Sequence, residues 1–174
     1  MSDKHKIIMP IPLRADLFSR YGDVIEVDEH KKPLMINQGF TKRYDNLAEI
    51  DVLKNKGRVL VNIFRSTPLP LPHSIRMMER HPLSSQSFIP LSGQPYLVVV
   101  APSGDFHEDN IEVFLARGNQ GVNYKPGTWH HFLLALDLES DFLVIDRGGE
   151  DENCDELVLN GNLQIKYPLE DKNA

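Results

Sequence analysis

The stretch Gly121-Val-Asn-Tyr-Lys-Pro-Gly-Thr-Trp-His-His-Phe-Leu-Leu-Ala135 decides the fold, and it carries two adjacent histidines. A glycine and a Pro-Gly pair interrupt the backbone before an apolar run, a pattern that predicts a turn delivering an imidazole to a buried strand. Strand alternation places His130 and His131 on opposite faces, so only one of them can face a given pocket. The residues expected beside His130 are Phe132, Leu134 and Leu136, and those expected beside His131 are Leu133 and Ala135. A histidine among apolar neighbours is also common as a hydrogen-bonded structural residue.

Length and charge limit the classes of protein to which the chain can belong. The 174 residues are typical of one domain with its own hydrophobic core, and we expect a single domain over 1–174. The net charge of -6 and the lack of a basic run argue against a nucleic-acid partner. No stretch approaches the roughly 20 apolar residues of a membrane span. Two prolines interrupt the apolar run near the N-terminus, which argues against a signal peptide. We therefore expect a cytoplasmic protein without nucleic-acid or membrane partners.

The sequence has a single cysteine, Cys154, which excludes an internal disulfide and favours a reducing compartment. Its neighbours include Asp, Glu and Asn, and the negative charge of the Asp and Glu side chains is expected to raise the pKa of the thiol. Cys154 is therefore not expected to act as a nucleophile.

Short apolar or alternating runs, divided by Gly, Pro and Asn, predict an all-β sandwich or barrel. The nine runs are 24–27, 58–64, 75–81, 87–91, 96–101, 111–116, 130–136, 142–145 and 163–167. One helix is predicted over 13–21 and ends at Gly22, and 46–53 fits either a second short helix or a strand. Three prolines make 66–72 an extended connector. The terminal stretch 170–174 is expected to be frayed.

A carboxylate and an imidazole stand two residues apart in the run 75–81. On a regular strand one face carries Ile75, Met77, Glu79 and His81, and the other carries Ser74, Arg76, Met78 and Arg80. A buried glutamate without a partner is costly, so Glu79 on an apolar face indicates a metal, a histidine or a ligand nearby. The same spacing also fits a strand end where water reaches both groups.

The two histidine-bearing segments resemble the two motifs of the cupin family. The positions that match the first motif, a His-x-His pair followed by Glu and then Gly, are Glu79, His81, Gln86 and Gly93. The second motif, a Pro/Gly turn leading to a histidine, matches 126–130. The resemblance implies a double-stranded β-helix, or jelly-roll barrel, with a divalent metal held by Glu79, His81, Gln86 and His130. Two imidazoles, a carboxylate and a neutral amide bind Fe, Mn or Ni more weakly than three imidazoles and a carboxylate, so the presence of a metal stays open.

A narrower resemblance covers most of the chain. Six segments, in order, are similar to the ureidoglycolate lyase family, also called ureidoglycolate hydrolase: 37–44, 61–65, 78–82, 118–124, 129–131, and 146–149 followed by 153–155. The resemblance implies a cupin-like homodimer that splits (S)-ureidoglycolate into glyoxylate and urea in allantoin breakdown, a part of purine degradation. It also implies a divalent metal, often nickel.

The reaction implied by this resemblance needs a base and an acid. Ureidoglycolate is a hemiaminal with a carboxylate, so cleavage takes a proton from the carbinol hydroxyl and gives one to the departing urea nitrogen. Imidazole suits either task near neutral pH. The candidate catalytic residues, acting through a metal or directly, are His130, His81, Glu79 and Asp146.

An arginine is expected to bind the substrate carboxylate, because a guanidinium matches the geometry of a carboxylate. Arg147 and Arg65 are favoured over Arg80, which alternation places opposite Glu79. Asp146 and Arg147 also fit a surface ion pair beside a Gly-Gly turn. Candidates for binding the urea group are Tyr124 and Asn123, which equally fit buried structural roles.

Two other functional classes remain open at this stage. One is a non-catalytic cupin that binds or senses a small carboxylate. The other is a metal-dependent cupin oxidoreductase, which Glu79 and Gln86 at ligand positions disfavour. In each case His130 is expected to face the barrel interior, and His131 to face a second layer or a subunit partner.

Overall fold

A computed structural model describes residues 5–167 and shows two large β-sheets that face each other. The five-stranded sheet has the spatial order β3 (Gly22–Ile25), β12 (Gly121–Tyr124), β9 (Gln86–Pro90), β15 (Ser140–Gly148) and β6 (Arg58–Ser66). The seven-stranded sheet has the order β16 (Asp155–Val158), β8 (Met77–Arg80), β13 (Trp129–His130), β10 (Tyr96–Ala101), β11 (Glu112–Ala116) and β2 (Ile11–Pro12), and β14 (Leu134–Ala135) also pairs with β10. The segment 170–174 lies outside the described residues.

Smaller elements complete the described chain. A three-stranded sheet has the order β1 (Lys6–Ile8), β17 (Leu163–Ile165) and β7 (His73–Ser74), and a separate hairpin consists of β4 (Leu34–Ile36) and β5 (Thr41–Arg43). The one α-helix, α1 (Ala15–Phe18), precedes β3, and 3-10 turns occupy Asn37–Gly39, Lys54–Lys56 and Glu108–Asn110. Within residues 5–167, no helix has the length and apolar character needed to cross a membrane.

The first hydrophobic core fills the space between the two large sheets. Its members include Val98, Val100 and Phe114 from one sheet and Phe88, Val122, Phe142 and Val144 from the other. Phe18 of α1 closes one side of this core, with its ring edge-on to Phe114 at a centroid distance of 5.5 Å. The helix therefore covers one end of the space between the sheets, where the apolar side chain of Phe18 is buried.

A second core lies on the outer side of the seven-stranded sheet. The three-stranded sheet contributes Leu163 and Ile165, which pack in one cluster with Leu97 and Val99 of β10. Because β10 is covered on both faces, all six of its residues are buried. This explains why its sequence is a continuous apolar run and not an alternating one.

The prediction of an all-β, cupin-like fold with one or two short helices is confirmed. Each of the nine predicted runs overlaps an observed strand, and 96–101 coincides with β10. The proline-rich connector is also confirmed, because no strand lies between Ser66 and His73.

The helix and one loop differ from the predictions. The helix covers only Ala15–Phe18, because Arg14 is extended and the Leu13 backbone N–H donates to the Leu115 carbonyl at 2.9 Å. Leu13 and Arg14, which are expected in the first helical turn, therefore lie outside the helix, and Leu13 bonds to β11. Gly22, expected to end the helix, is the first residue of β3. The stretch 46–53 is neither helix nor strand. Its backbone donates to side chains instead, for example from Asp51 to Ser85 Oγ at 2.9 Å.

Two strand interruptions make the predicted alternation wrong in places. Irregular backbone at 131–133 separates β13 from β14, so Leu134 packs in the second core while His130 lies on the side of the first. In the same way, the break between β7 and β8 places Ile75 in the second core, on the other side of the sheet from Glu79. The opening of the Gly121 stretch is likewise a strand, β12, and the turn is confined to 125–128.

Candidate active site

Strand pairing brings a carboxylate and an imidazole face to face. β13 and β8 are antiparallel neighbours in which His130 stands opposite Glu79. Glu79 Oε1 lies 3.4 Å from His130 Nε2, and the ring of His81 lies 5.2 Å from that of His130. One ligand atom from each of the three residues lies within 4.8 Å of the other two. The three residues expected at the reacting centre are thus neighbours in space.

The His130 ring is fixed on both its face and its edge. The ring stacks on Tyr124 with a centroid distance of 4.4 Å, and Nδ1 lies 3.1 Å from the Thr128 carbonyl oxygen. A carbonyl can only accept, so Nδ1 carries the hydrogen and Nε2 presents a lone pair. Among residues 5–167, Nε2 is buried without a hydrogen-bond partner, and Glu79 Oε1 at 3.4 Å lies beyond the usual hydrogen-bond distance.

The His81 ring is held by the loop that follows β15. Its Nδ1 donates to the Asn153 carbonyl oxygen at 2.7 Å, and its Nε2 lies 3.2 Å from Gln86 Oε1. The Gln86 side chain also interacts with Asp146, which accepts from Asn62 at 3.1 Å. A polar chain therefore runs from the loop through His81 and Gln86 to Asp146.

The turn at 125–128 links the two histidine-bearing segments. Gly127 adopts φ +80, a conformation that side-chain-bearing residues rarely take, and its N–H donates to the His81 carbonyl at 2.9 Å. Thr128 donates its hydroxyl to the Tyr21 carbonyl at 2.9 Å. The turn thereby sets the position of His130 relative to His81.

The two carboxyl groups of the site have opposite pKa shifts. The His130 ring, in its protonated form, lowers the pKa of Glu79 against the opposing effect of burial. Burial raises the pKa of Asp146, only partly offset by Gln86, His81 and Asn62. Groups with pKa values pushed apart in this way are typical of acid–base pairs.

An open cleft of about 230 Å³ gives access to this polar chain. Its lining consists of His81, Ser84, Gln86, Asp146, Arg147, Asn153 and Cys154. Glu79 and His130 lie beside it, through the contacts of Glu79 with Cys154 and of His130 with His81. The size suits a small, polar substrate.

Arg147 lines the cleft but is already partly occupied. Its Nε and Nη2 donate to the Lys54 carbonyl at 3.2 and 2.9 Å, and Nη2 also approaches Asp151 at 3.2 Å. Among the described residues, only Nη1 makes no hydrogen bond. The side chain is 1% exposed and Nη1 lies against Gly149, so the guanidinium does not present to the cleft the two-nitrogen fork that the sequence predicts.

Two of the predicted substrate-binding residues lie elsewhere. Arg65 is exposed and forms a two-point ion pair with Asp141, at 2.8 and 2.9 Å, because its neighbour Phe64 takes the inward position on β6. Asn123 is fully buried, and its side chain bonds Ser87, Asp23 and the Glu49 carbonyl. Neither placement agrees with substrate binding. Tyr124, on the opposite face of β12, supports the His130 ring.

His131 faces the second layer, as its alternation with His130 indicates. Its Nε2 lies 3.4 Å from Nε2 of His73 on β7, and its Nδ1 lies 3.0 Å from the Phe132 carbonyl. Burial lowers the pKa of His131 to about 4. The ring is therefore neutral near pH 7 and contributes to packing between sheets.

Comparison with protein families accounts for nearly all of the described chain. The family described as Ureidoglycolate lyase matches residues 5–166. This chain belongs to the ureidoglycolate lyase family.

Several curated relatives carry the name ureidoglycolate lyase. The protein from Burkholderia mallei (strain NCTC 10229) is 51% identical over 154 residues, which cover 88% of this chain and 90% of the relative. The protein from Pseudomonas syringae pv. tomato is 46% identical over 155 residues, with 88% and 91% covered. That from Azotobacter vinelandii is 49% identical over 161 residues, with 92% and 96% covered. The similarity thus extends over whole chains.

The site described above has ligand atoms that could hold a metal ion. The buried Nε2 of His130 has no partner among the residues that the structure describes, and the Nδ1 atoms of His130 and His81 both donate to backbone carbonyls. Metal-binding histidines typically have their second nitrogen held in this manner. Glu79, His81 and His130 could therefore hold a divalent cation, with the Gln86 amide beside His81.

Three positions of the candidate site are not predicted from the sequence. Thr128 and Asn153 orient the histidine rings through their backbone carbonyls. Every residue has a backbone carbonyl, so the residue type does not indicate this role. Cys154 is not expected to act as a nucleophile, yet its Sγ lies 3.8 Å from Glu79 Oε2. Its place in the family-like segment 153–155 is the one sequence feature that indicates a position near the site.

Proposed function

We propose that the chain is a ureidoglycolate lyase that cleaves (S)-ureidoglycolate into glyoxylate and urea. The observation that carries the proposal is the buried Nε2 of His130, which has no hydrogen-bond partner in the described part of the chain and lies with Glu79 and His81 beside a small polar cleft. Family membership and relatives of about half identity over whole chains supply the substrate. The roles of base and acid follow from the general chemistry of imidazole and carboxyl groups.

The reaction moves two protons and breaks one bond. The carbinol O–H gives up its proton, the oxygen lone pair forms the C=O bond of glyoxylate, and the C–N bond breaks. The electron pair of that bond stays on the urea nitrogen, which takes up a proton. No external oxidant or reductant is required, so a base and an acid on either side of the cleft are sufficient.

We assign the base to His130 and the acid to Asp146. The Nδ1–H···O=C bond of His130 to Thr128 leaves Nε2 free to accept, and the adjacent Glu79 carboxylate stabilises the imidazolium that results. Asp146 lines the cleft, and its raised pKa favours holding a proton. His81 connects the two through Gln86.

Arg147 is the proposed anchor for the substrate carboxylate. It lines the cleft, and its Nη1 is the one nitrogen that is not engaged within the described part of the chain. A charged donor of this kind gives a hydrogen bond roughly twice as strong as a neutral one. Its other contacts hold the guanidinium in place before substrate arrives.

A divalent cation, nickel by the family resemblance, would be held by Glu79, His81 and His130, with Gln86 as a further candidate. When bound, it would act as a Lewis acid on the substrate oxygen atoms. His130 Nε2 has one lone pair, which can bind a cation or accept a proton but not both, so the two roles are alternatives. The carbonyls of Thr128 and Asn153 orient the rings for either role.

Glyoxylate release from (S)-ureidoglycolate by the purified chain, with and without EDTA, tests the proposal. We expect urea and glyoxylate in equal amounts. Loss of activity with EDTA, and its recovery on adding Ni²⁺, would support an essential metal; activity that EDTA does not change would support direct proton transfer. Absence of glyoxylate in both conditions, and after Ni²⁺ is added back, would contradict the lyase function and leave a binding or sensing cupin.

We also propose that the protein is a homodimer in the cytoplasm. The outer face of the five-stranded sheet presents Val59, Val61 and Ile63 at 51, 65 and 56% exposure, an apolar stripe suited to a second copy of the chain. The family resemblance supports the dimer. The single cysteine, which can form no internal disulfide, supports a reducing compartment.

A further inference from the structure

We infer that Arg58 is a second cation that binds the carboxylate of the substrate, beside Arg147. The inference rests on the proposed lyase function, which supplies an anionic substrate. It assigns a role to a residue that the sequence places only at the start of an apolar strand.

The cleft lacks a two-nitrogen donor for a carboxylate. The Arg147 side chain is 1% exposed, and its Nη1 lies against Gly149. The two other arginines considered for this role, Arg65 and Arg80, are held in ion pairs with aspartates. A carboxylate has two oxygens and is bound best by two N–H donors. A further cation is therefore needed to bind the substrate carboxylate at two points.

Arg58 is one of three arginines that have no carboxylate partner in the described part of the chain. The six arginines that form ion pairs are Arg14, Arg43, Arg65, Arg80, Arg117 and Arg147. Of the other three, Arg20 lies over the Tyr21 ring and Arg76 lies beside Gly161. Arg58 is exposed and lines a cavity of about 610 Å³. Its guanidinium is thus available to an anion.

Strand pairing places Arg58 on the same face as Asp146. β6 and β15 pair without interruption, with Leu60 opposite Asp146 and Arg58 opposite Gly148. Asn62 donates to Asp146 at 3.1 Å, and Leu60 lies where a side chain at Gly148 would extend. Alternation along β6 therefore turns Arg58 to the face of Leu60 and Asn62. Two residues along a strand span about 7 Å, a separation that the long side chain of an arginine can bridge.

The cavity adjoins the cleft along β15. Its lining consists of Asn55, Lys56, Arg58, Gly148, Gly149, Glu150 and Asp151. Asp146 and Arg147, which line the cleft, are the two residues immediately before Gly148. Because Gly148 and Gly149 have no side chains, they leave space for a ligand that contacts both Arg58 and the cleft.

The charges around the cavity favour an anion. Asp151 is paired with Arg147 at 3.2 Å, so its charge is balanced. Of the remaining charged residues in the lining, Lys56 and Arg58 are positive and Glu150 is negative. The resulting net positive charge attracts a small carboxylate.

The turn that precedes Arg58 is held by Arg147. The Nε and Nη2 atoms of Arg147 donate to the Lys54 carbonyl at 3.2 and 2.9 Å, and Nη2 lies 3.4 Å from the Asn55 carbonyl. Asn55 and Lys56 both have positive φ, at 50 and 59, a region that residues with side chains seldom occupy. Such a backbone persists where its surroundings fix it, often at functional sites. Arg147 therefore also positions the start of β6.

Turnover of (S)-ureidoglycolate and of its neutral amide tests the role of Arg58. We expect Arg58→Gln to lower kcat/KM for ureidoglycolate by about 10–100-fold, mainly through KM, as for loss of a hydrogen bond to a charged group. The same variant should leave kcat/KM for the amide unchanged, because the amide has no carboxylate. Arg58→Lys should lie between the two, since it keeps the charge and loses the planar fork. Equal losses for both substrates would indicate a structural effect and overturn the inference.

Arg65→Gln is the matched control. Arg65 is an exposed arginine on the same strand, and alternation places it on the opposite face from Arg58. The control should keep the wild-type KM for both substrates. A rise in KM for ureidoglycolate as large as that of Arg58→Gln would contradict a specific role for Arg58.

Glyoxylate binding, measured by isothermal titration calorimetry, separates this inference from the lyase proposal. Glyoxylate has the carboxylate but no C–N bond to cleave, so its binding does not depend on catalysis. We expect the wild type and Arg65→Gln to bind it with the same Kd, and Arg58→Gln to bind it about tenfold more weakly or worse.

The two readouts fail in different ways. An unchanged Kd in Arg58→Gln would overturn the role of Arg58 and leave the lyase function intact. A wild type that releases no glyoxylate, but binds it more tightly than Arg58→Gln does, would contradict the lyase function and keep Arg58 as a carboxylate-binding residue. Circular dichroism of each variant establishes that it is folded.

Discussion

The two adjacent histidines show how one residue step separates two roles. His130 presents a lone pair to Glu79 beside the cleft, whereas His131 contacts His73 in the second layer. Both side chains are at least 97% buried, so exposure does not distinguish them. Their hydrogen-bond partners do, because within residues 5–167 His130 has a buried nitrogen without a partner and His131 does not.

Replacing His130 should therefore remove catalysis. We expect His130→Ala to lower kcat for glyoxylate release by about 10²–10⁴-fold, the usual contribution of one general base. His131→Gln is the matched control, being the next residue and similarly buried, and it should keep kcat within a few-fold. Equal losses in both variants, with intact circular dichroism spectra, would contradict the assignment of the base.

The depressed pKa of His131 predicts acid sensitivity of the fold. Its pKa is about 4 in the folded chain against an ordinary value of 6.5, so the unfolded state binds the proton first as pH falls. The part of the folding free energy that depends on a neutral His131 is fully present above pH 6.5, and it is lost as the pH falls through 4. Its size is of the order of 3 kcal/mol.

Urea unfolding of the wild type and of His131→Gln across this pH range measures the effect. The variant should be less stable near neutral pH and should lose less stability on acidification than the wild type. His30→Gln, an exposed position, serves as the control and should follow the wild type. An unchanged pH dependence in His131→Gln would rule out this source of acid sensitivity.

At the scale of elements, the turn at 125–128 connects the two histidine-bearing strands. Gly127 has open space around its Cβ position, with Ser103 Cβ the nearest atom at 3.5 Å, so the constraint comes from its φ of +80. An alanine there costs about 1–2 kcal/mol, and an asparagine less, because Asn tolerates the left-handed region.

Thermal unfolding and turnover of Gly127→Ala and Gly127→Asn test this turn. We expect Tm to fall in the order wild type, Asn, Ala. We also expect kcat to fall in the same order, since the Gly127 N–H holds the His81 carbonyl at 2.9 Å. A Tm for Gly127→Ala equal to that of the wild type would show that the turn relaxes without strain.

Element-level prediction succeeded where residue pattern alone decides the structure. β10 was predicted with its observed bounds, because a strand covered on both faces is apolar throughout. The interruptions at 75–76 and 131–133 could not be predicted, because strict alternation assumes unbroken pairing. The layer that Ile75 joins depends instead on the position of β17, which is distant in sequence.

The site was predictable to a similar degree. Glu79, His81 and His130 were identified from motif spacing, and pairing of β8 with β13 places them together. Besides Asp151, the partners of Arg147 are carbonyls of a 3-10 turn more than 90 residues away, and no local pattern encodes such a contact. The same holds for Asn123, whose three partners belong to three separate segments.

At the scale of the whole molecule, the three-, seven- and five-stranded sheets form three layers, and their outer faces are not equally covered by other parts of the chain. The seven-stranded sheet has a core on each side, whereas the five-stranded sheet leaves Val59, Val61 and Ile63 exposed on its outer face. Exposed apolar stripes of this kind are typical of subunit interfaces. The dimer proposal therefore predicts that this face is buried in solution.

Light scattering after size exclusion should give a dimeric mass for the wild type and a monomeric mass for Val61→Asp. Val158→Asp is the matched control, because Val158 is 86% exposed on a strand of the other large sheet, and it should stay dimeric. A monomeric wild type would contradict the dimer. A dimeric Val61→Asp together with a monomeric Phe40→Ser would move the interface to the β4–β5 hairpin, where Phe40 is 90% exposed.

Both imidazoles of the site take their orientation from main-chain oxygens, those of Thr128 and Asn153. Substituting either residue leaves its carbonyl in place, so a scan of side chains would not reveal how the rings are aligned. Insertions and deletions would, since adding one residue to the loop 149–153 displaces the oxygen that holds His81. In this protein the length of a connecting loop is therefore as much a determinant of the reacting geometry as the identity of any residue within it.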